Sequence, residues 1–98
     1  MTSAIATAVP RHRTTLLGTV LSVVTAESPW VHTDAVLGDD TGTLVLRFVG
    51  RSSVPGLVPG RTLVVDGTPG VVDGDLVMLN PIYSFDGAGS GSGSGINW

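Results

Sequence analysis

Cysteine and lysine are both absent from this chain of 98 residues. Without cysteine there is no disulfide framework, no thiolate metal site and no cysteine nucleophile. Without lysine all five cations are arginines (Arg11, Arg13, Arg47, Arg51 and Arg61), each able to fork onto phosphate or stack on a ring. Charge is scarce at 13%, against about 25% in an average domain, and 42% of residues are hydrophobic, which excludes disorder for most of the length. No apolar run approaches the ~18 residues of a membrane span. Residues 1–10 lack the basic start of a secretory leader, so the protein is expected in the cytoplasm.

What remains is enough for one modest core. Three segments are expected. Residues 1–10 read as a loose lead and residues 11–86 as the folded domain. Residues 87–95 alternate glycine with alanine or serine, the composition of a flexible tether, followed by the stub Ile96-Asn97-Trp98. The net charge of −3 excludes the usual basic footprint of a strongly electrostatic nucleic-acid binder.

Helix signals are nearly missing from the middle, and strand signals recur. Residues 14–25 (TTLLGTVLSVVT) predict a long, bent strand with a bulge or bend at Gly18. A loop with Pro29 and Trp30 follows, then a strand over 33–38, a turn at Asp39-Asp40-Thr41-Gly42 and a strand over 43–49. In that last strand Leu44, Leu46 and Phe48 share one face and Val45, Arg47 and Val49 the other. Residues 51–60 (RSSVPGLVPG) contain two Pro-Gly pairs, which forbid anything longer than a short 3₁₀ turn. A fourth strand over 62–66 is kinked by Gly67–Gly70 and extends into Val71-Val72. Asp73-Gly74 is the strongest hairpin signal in the chain. A fifth strand runs over 76–79 and on to Phe85, with Pro81 at an edge or bulge.

Five strands, one of them long and curling, with a gap after the third are the plan of an all-β, five-stranded Greek-key barrel of the OB type, with the helix between strands three and four reduced to a turn. Periodicity alone equally allows an SH3-like barrel or a small sandwich. The blocks 39–50 (DDTGTLVLRFVG), Val54-Pro55-Gly56 with Pro59-Gly60-Arg61, and 76–85 (LVMLNPIYSF) resemble, in order and spacing, small actinobacterial OB-fold nucleic-acid-binding proteins. They are similar also to the wedge domain of the RecG helicase, whose fifth strand ends much like residues 78–83. The likeness spans roughly residues 16–85. It implies an OB-fold that binds single-stranded or branched DNA or RNA. Members of that family often carry more basic residues around the segment matching 50–54, where only Arg51 stands here.

Single strands need aromatic planes for bases and a cationic track for phosphates. The candidates are Trp30, Arg47, Arg51, Arg61 and Tyr83. Each has a plainer reading beside it. Trp30 either stacks on a ligand or closes the end of the barrel, and Tyr83 is either a base platform or a core ring with its hydroxyl on the backbone. Arg47 either binds or pairs across the strands with a carboxylate such as Asp34. Arg61 is read as solvated or acid-paired before it is read as a contact, and Arg11-His12-Arg13 as a solvated terminus before a phosphate-touching arm. Phe48 is assigned to the core.

Catalysis has little to build on. His12 and His32 stand far apart in the sequence, and Gly-x-Ser-x-Gly occurs only within the tether repeat. Asp39, Asp40, Asp73 and Asp75 all flank turns, where aspartate bonds its own backbone. The expectation is a non-enzymatic module without cofactor or metal that binds single-stranded or branched nucleic acid weakly. The alternative is a protein-interaction or homo-oligomerisation module using the same face, on which Val45 and Val49 point outward.

Overall fold

The computed structural model describes residues 2–86, and the tether and stub expected at 87–98 lie outside the described residues. The β-branched segments form seven strands: β1 (Thr14–Ala26), β2 (His32–Asp39), β3 (Gly42–Val49), β4 (Thr62–Gly67), β5 (Pro69–Val72), β6 (Asp75–Leu79) and β7 (Ile82–Phe85). Among the described residues the helical content is one 3₁₀ turn, Ile5–Thr7, and no helix is long and apolar enough to cross a membrane. The strands join a single sheet in the order β5-β6-β3-β2-β1-β4-β7, with β3 and β6 parallel and every other neighbour antiparallel. The chain is all-β.

The long first strand works because it bends. Its first half pairs with β4 and its second half with β2, and a bulge between Val20 and Ser22 lets one strand serve both neighbours. Gly18 permits the close approach at the crossover: a Cβ there would stand 2.8 Å from Leu37 Cγ and 2.9 Å from the Gly38 carbonyl oxygen. The β2–β3 hairpin keeps full register from His32↔Val49 to Asp39↔Gly42. At Asp73-Gly74 both residues take positive φ (51° and 86°), the conformation a two-residue hairpin turn of the primed type demands.

The expected five strands are seven because two of them break. The fourth is interrupted at Thr68, beside Pro69, which has no N–H for a ladder. Below the break β4 lies between β1 and β7; above it β5 pairs with β6. The fifth is interrupted at Asn80-Pro81, where Asn80 takes φ 45°. Its amide donates to the Arg47 carbonyl at 2.7 Å, and its Oδ1 accepts from the Val49 amide at 2.9 Å, so Asn80 seals β6 onto β3 before the chain leaves for β4. The sheet's end strands, β5 and β7, are not paired with each other, so the closed five-stranded cylinder expected from the pattern is replaced by one seven-stranded sheet.

Alternation along the strands sends Leu16, Val20, Ala35, Leu37, Leu44, Leu46, Phe48, Leu63, Val65 and Met78 into a common core. Phe48 is therefore a core residue. Segment 50–61 contributes Val54 and Leu57 to it without forming a helix.

The N-terminal segment differs from the loose lead expected. Ser3 donates to the Thr15 carbonyl at 2.8 Å and forms a parallel bridge with Leu16. The Ile5 amide donates to Asp39 Oδ2 at 2.9 Å, and the Ile5 side chain is only 2% exposed. Arg11 donates through its amide to Pro69. The physical reason is distant in sequence: the acceptor that holds Ile5 lies 34 residues away, in the β2–β3 turn. The basic stretch 11–13 is not a bare arm either, because Arg13 Nε donates to Asp66 Oδ1 at 2.8 Å.

Candidate nucleic-acid interface

On the outer face of the sheet, β1, β2, β3 and β6 set one residue each in a row: Val24, Asp34, Arg47 and Leu79. The β2–β3 register places Arg47 directly opposite Asp34, and the guanidinium forks onto the carboxylate, Nε to Oδ1 at 2.8 Å and Nη2 to Oδ2 at 2.9 Å. The hydrogen bond to Asp34 holds the Arg47 guanidinium above its ordinary value, with the Asp34 charge and the more distant Asp73 adding to it against a cost of burial. Of the two readings for Arg47, the geometry shows the cross-strand partner. Around the pair the surface is apolar: Val24 is 62% exposed, Leu79 56%, and Val49 is exposed beside them.

His32 precedes Asp34 on the same face. Its Nε2 lies 3.9 Å from Asp34 Oδ2, and its Nδ1 lies 3.0 Å from the Trp30 carbonyl oxygen, so with the ring neutral the proton sits on Nδ1. Trp30 follows a cis Ser28-Pro29 bond and leans on the His32 ring, centroids 4.4 Å apart and planes tilted by 51°. The indole stays 44% exposed. His32 as the support for Trp30 was missed in the sequence, although the two stand at i and i+2, the spacing that shares a strand face.

The Gly50 amide donates to the Val31 carbonyl at 2.7 Å, which ties the loop carrying Trp30 to the start of the segment carrying Arg51. Buried Thr33 then fixes the Arg51 backbone, its hydroxyl donating to the Arg51 carbonyl at 2.7 Å. The Arg51 side chain is exposed and makes no ion pair among the described residues. It lines a cleft of about 230 Å³ together with Pro55, Pro81, Ile82 and Tyr83. Tyr83 is wedged edge-on against Phe48 and Phe85, centroids 5.6 and 5.9 Å away, and its hydroxyl donates to the Pro55 carbonyl at 3.4 Å. Burial raises the Tyr83 phenol above its ordinary value, opposed by the nearby Arg51 charge. Tyr83 is thus a core ring with its hydroxyl on the backbone that also forms a wall of the cleft.

Arg61 goes elsewhere. Its guanidinium lies 4.1 Å from the centroid of Phe85, a cation–π contact, and its carbonyl accepts from Val20 at the β1 bulge. The five candidates therefore divide: Trp30 and Arg51 stand on loops tied by the Gly50–Val31 hydrogen bond, Arg51 and Tyr83 line one cleft, Arg47 is bound to Asp34, and Arg61 packs on a ring. Among the described residues no group of three or more histidine, aspartate or glutamate side chains could hold a metal ion.

No protein-family model and no curated protein matches this chain.

Proposed function

We propose that this chain is a non-enzymatic OB-type module that binds single-stranded or branched nucleic acid weakly, through the Trp30 loop and the cleft formed by Arg51 and Tyr83. On this reading β4 with β5 stand for the fourth OB strand and β6 with β7 for the fifth. Supporting it, β3 and β6 run parallel, while the two halves of each broken strand pair with the halves of the other. The observation that carries the function is a link between two features. The loop of the half-exposed Trp30 indole is tied by the Gly50–Val31 hydrogen bond to the segment of Arg51, which makes no ion pair among the described residues and lines a cleft with Tyr83. Rings stack bases at roughly 1–3 kcal/mol each, whatever the base, and a guanidinium forks onto phosphate.

The affinity is low because the cations are few. Arg47 faces Asp34, Arg13 faces Asp66 and Arg61 covers Phe85. With about one or two phosphates contacted, the slope of log affinity against log salt on a single strand is about −0.7 to −1.4. Binding is micromolar or poorer at physiological salt. A salt titration of fluorescence anisotropy with a labelled oligothymidine tests the reading, and no binding at about 20 mM salt ends it for this domain.

A second reading is favoured by a separate observation. The neutralised Arg47–Asp34 pair ringed by exposed Val24, Val49 and Leu79 suits a protein surface better than a phosphate track. Sedimentation at several concentrations distinguishes it: self-association abolished by Leu79→Asp, with oligonucleotide affinity unchanged, favours an oligomerisation face.

A further inference from the structure

We propose that the cleft between Arg51–Pro55 and Pro81–Tyr83 is a single-nucleotide pocket, in which one unstacked base lies against the Tyr83 ring while its phosphate meets the Arg51 guanidinium. The inference rests on the nucleic-acid reading above and sharpens it from a face that contacts a strand to a pocket that takes one nucleotide out of it.

Size sets the first limit. At about 230 Å³ the cleft falls below the roughly 300–1,000 Å³ of drug-sized sites. Its size suits one flat ring. Its walls suit such a ring: two prolines and a tyrosine present stiff, flat surfaces that lose little freedom on contact. The tyrosine is also set in advance, with Phe48 and Phe85 against it and the Pro55 carbonyl on its hydroxyl.

Charge selects the anion. Arg51 is the one charged residue lining the cleft, and no carboxylate of the described residues pairs with it. Its backbone is anchored by Thr33, so the residue is held at the cleft while the side chain keeps its fork for a phosphate. An acidic peptide could meet the same guanidinium. The strand is favoured because Trp30, tied to Arg51 through Val31 and Gly50, offers a second plate for the neighbouring base. One acidic side chain would leave that plate unused.

The test is an amide-resonance titration of the full chain with thymidine 5′-monophosphate. Thymidine, inorganic phosphate and a short acidic peptide are the comparison arms, and oligothymidine anisotropy is run in parallel. The monophosphate is expected to move the amides of residues 51–54, 56 and 82–84 at millimolar concentration, with thymidine about tenfold weaker. Arg51→Ala, an exposed position whose fold the same spectrum checks, should bring the monophosphate down to the level of thymidine. If the oligonucleotide binds but the monophosphate leaves the cleft amides unmoved, the pocket is wrong and the broader reading survives. If neither binds, both fall. Inorganic phosphate reproducing the same shifts would leave a phosphate contact with no base pocket, and a peptide binding as tightly as the monophosphate would assign the cleft to a protein partner; either result overturns the proposal.

Discussion

Arg47 and Asp34 face each other across β2 and β3 in a two-point ion pair, 2.8 and 2.9 Å long, at the centre of the outer sheet face. A cation that on sequence grounds was a candidate for phosphate is thereby satisfied within the chain. The pair is about a quarter exposed on each side, so it adds at most about 1 kcal/mol to stability. On the nucleic-acid reading its larger effect is on recognition. Asp34→Asn keeps a hydrogen-bond acceptor for the guanidinium and removes the opposing charge. On the nucleic-acid reading this variant steepens the salt slope by about 0.7, the increment for one further phosphate on a single strand. Arg47→Ala in the native background leaves the slope nearly unchanged. Anisotropy titrations at several salt concentrations decide, and identical slopes for Asp34→Asn and the native chain would remove Arg47 from the interface.

On the same reading Trp30 separates binding from folding. Its ring is half exposed and leans on His32 rather than on the core. Trp30→Ala should therefore weaken oligonucleotide binding by about 1–3 kcal/mol, the loss of one stacked base. Stability should stay within about 0.5 kcal/mol. Thermal melts beside anisotropy give both numbers. A large fall in Tm with unchanged affinity would make the indole a closing residue of the sheet end.

Much of the strand pattern could be read directly. The alternation of Leu44, Leu46 and Phe48 and the Asp73-Gly74 hairpin are local signals, and each stands where the residues alone put it, whereas the irregularity expected at Gly18 falls between Val20 and Ser22. The strand breaks were harder to see. Pro69 and Pro81 announce a kink, but which partner each half takes depends on the Asn80 bonds to Arg47 and Val49, more than thirty positions away. The N-terminal segment was misjudged for the same reason, since small residues around a lone isoleucine carry no periodicity. Of the candidate site, the loops of Trp30 and Arg51 are tied by one backbone hydrogen bond that no motif encodes, and Tyr83 joins Arg51 only across the cleft.

Ile5 makes that last point measurable. It enters the core beside Leu16 from a segment with no regular strand of its own. Ile5→Ala should cost about 2 kcal/mol, the low end for a buried isoleucine, because a terminal segment can settle into part of the space left. Deleting residues 2–8 should cost at least as much. Urea unfolding measures both, and a truncated chain as stable as the native one would restore the loose lead.

Asp39 ties the same segment to the hairpin turn and makes the attachment depend on pH. One carboxylate oxygen accepts from the Thr41 hydroxyl and amide and from the Gly42 amide; the other accepts from Ile5. The Thr41 hydroxyl bond, followed by the Ile5 amide bond, lowers this carboxyl from 3.8 to about 2. A carboxyl whose folded value lies below its unfolded one stabilises the fold above the unfolded value, and that contribution disappears as pH falls toward the folded one. The stability Asp39 supplies is therefore complete above about pH 4 and lost on the way down to about pH 2. Asp66, lowered by the Arg13 hydrogen bond, acts in the same direction. Asp39→Asn has one acceptor oxygen where the native residue has two, and it turns N–H groups toward amides that need an acceptor. Its Tm should be lower at neutral pH and should fall less steeply between about pH 5 and pH 2, and the Ile5 amide should exchange faster with solvent. Parallel Tm curves for the two proteins, with unchanged exchange at Ile5, would show that this carboxylate does not hold the N-terminal segment.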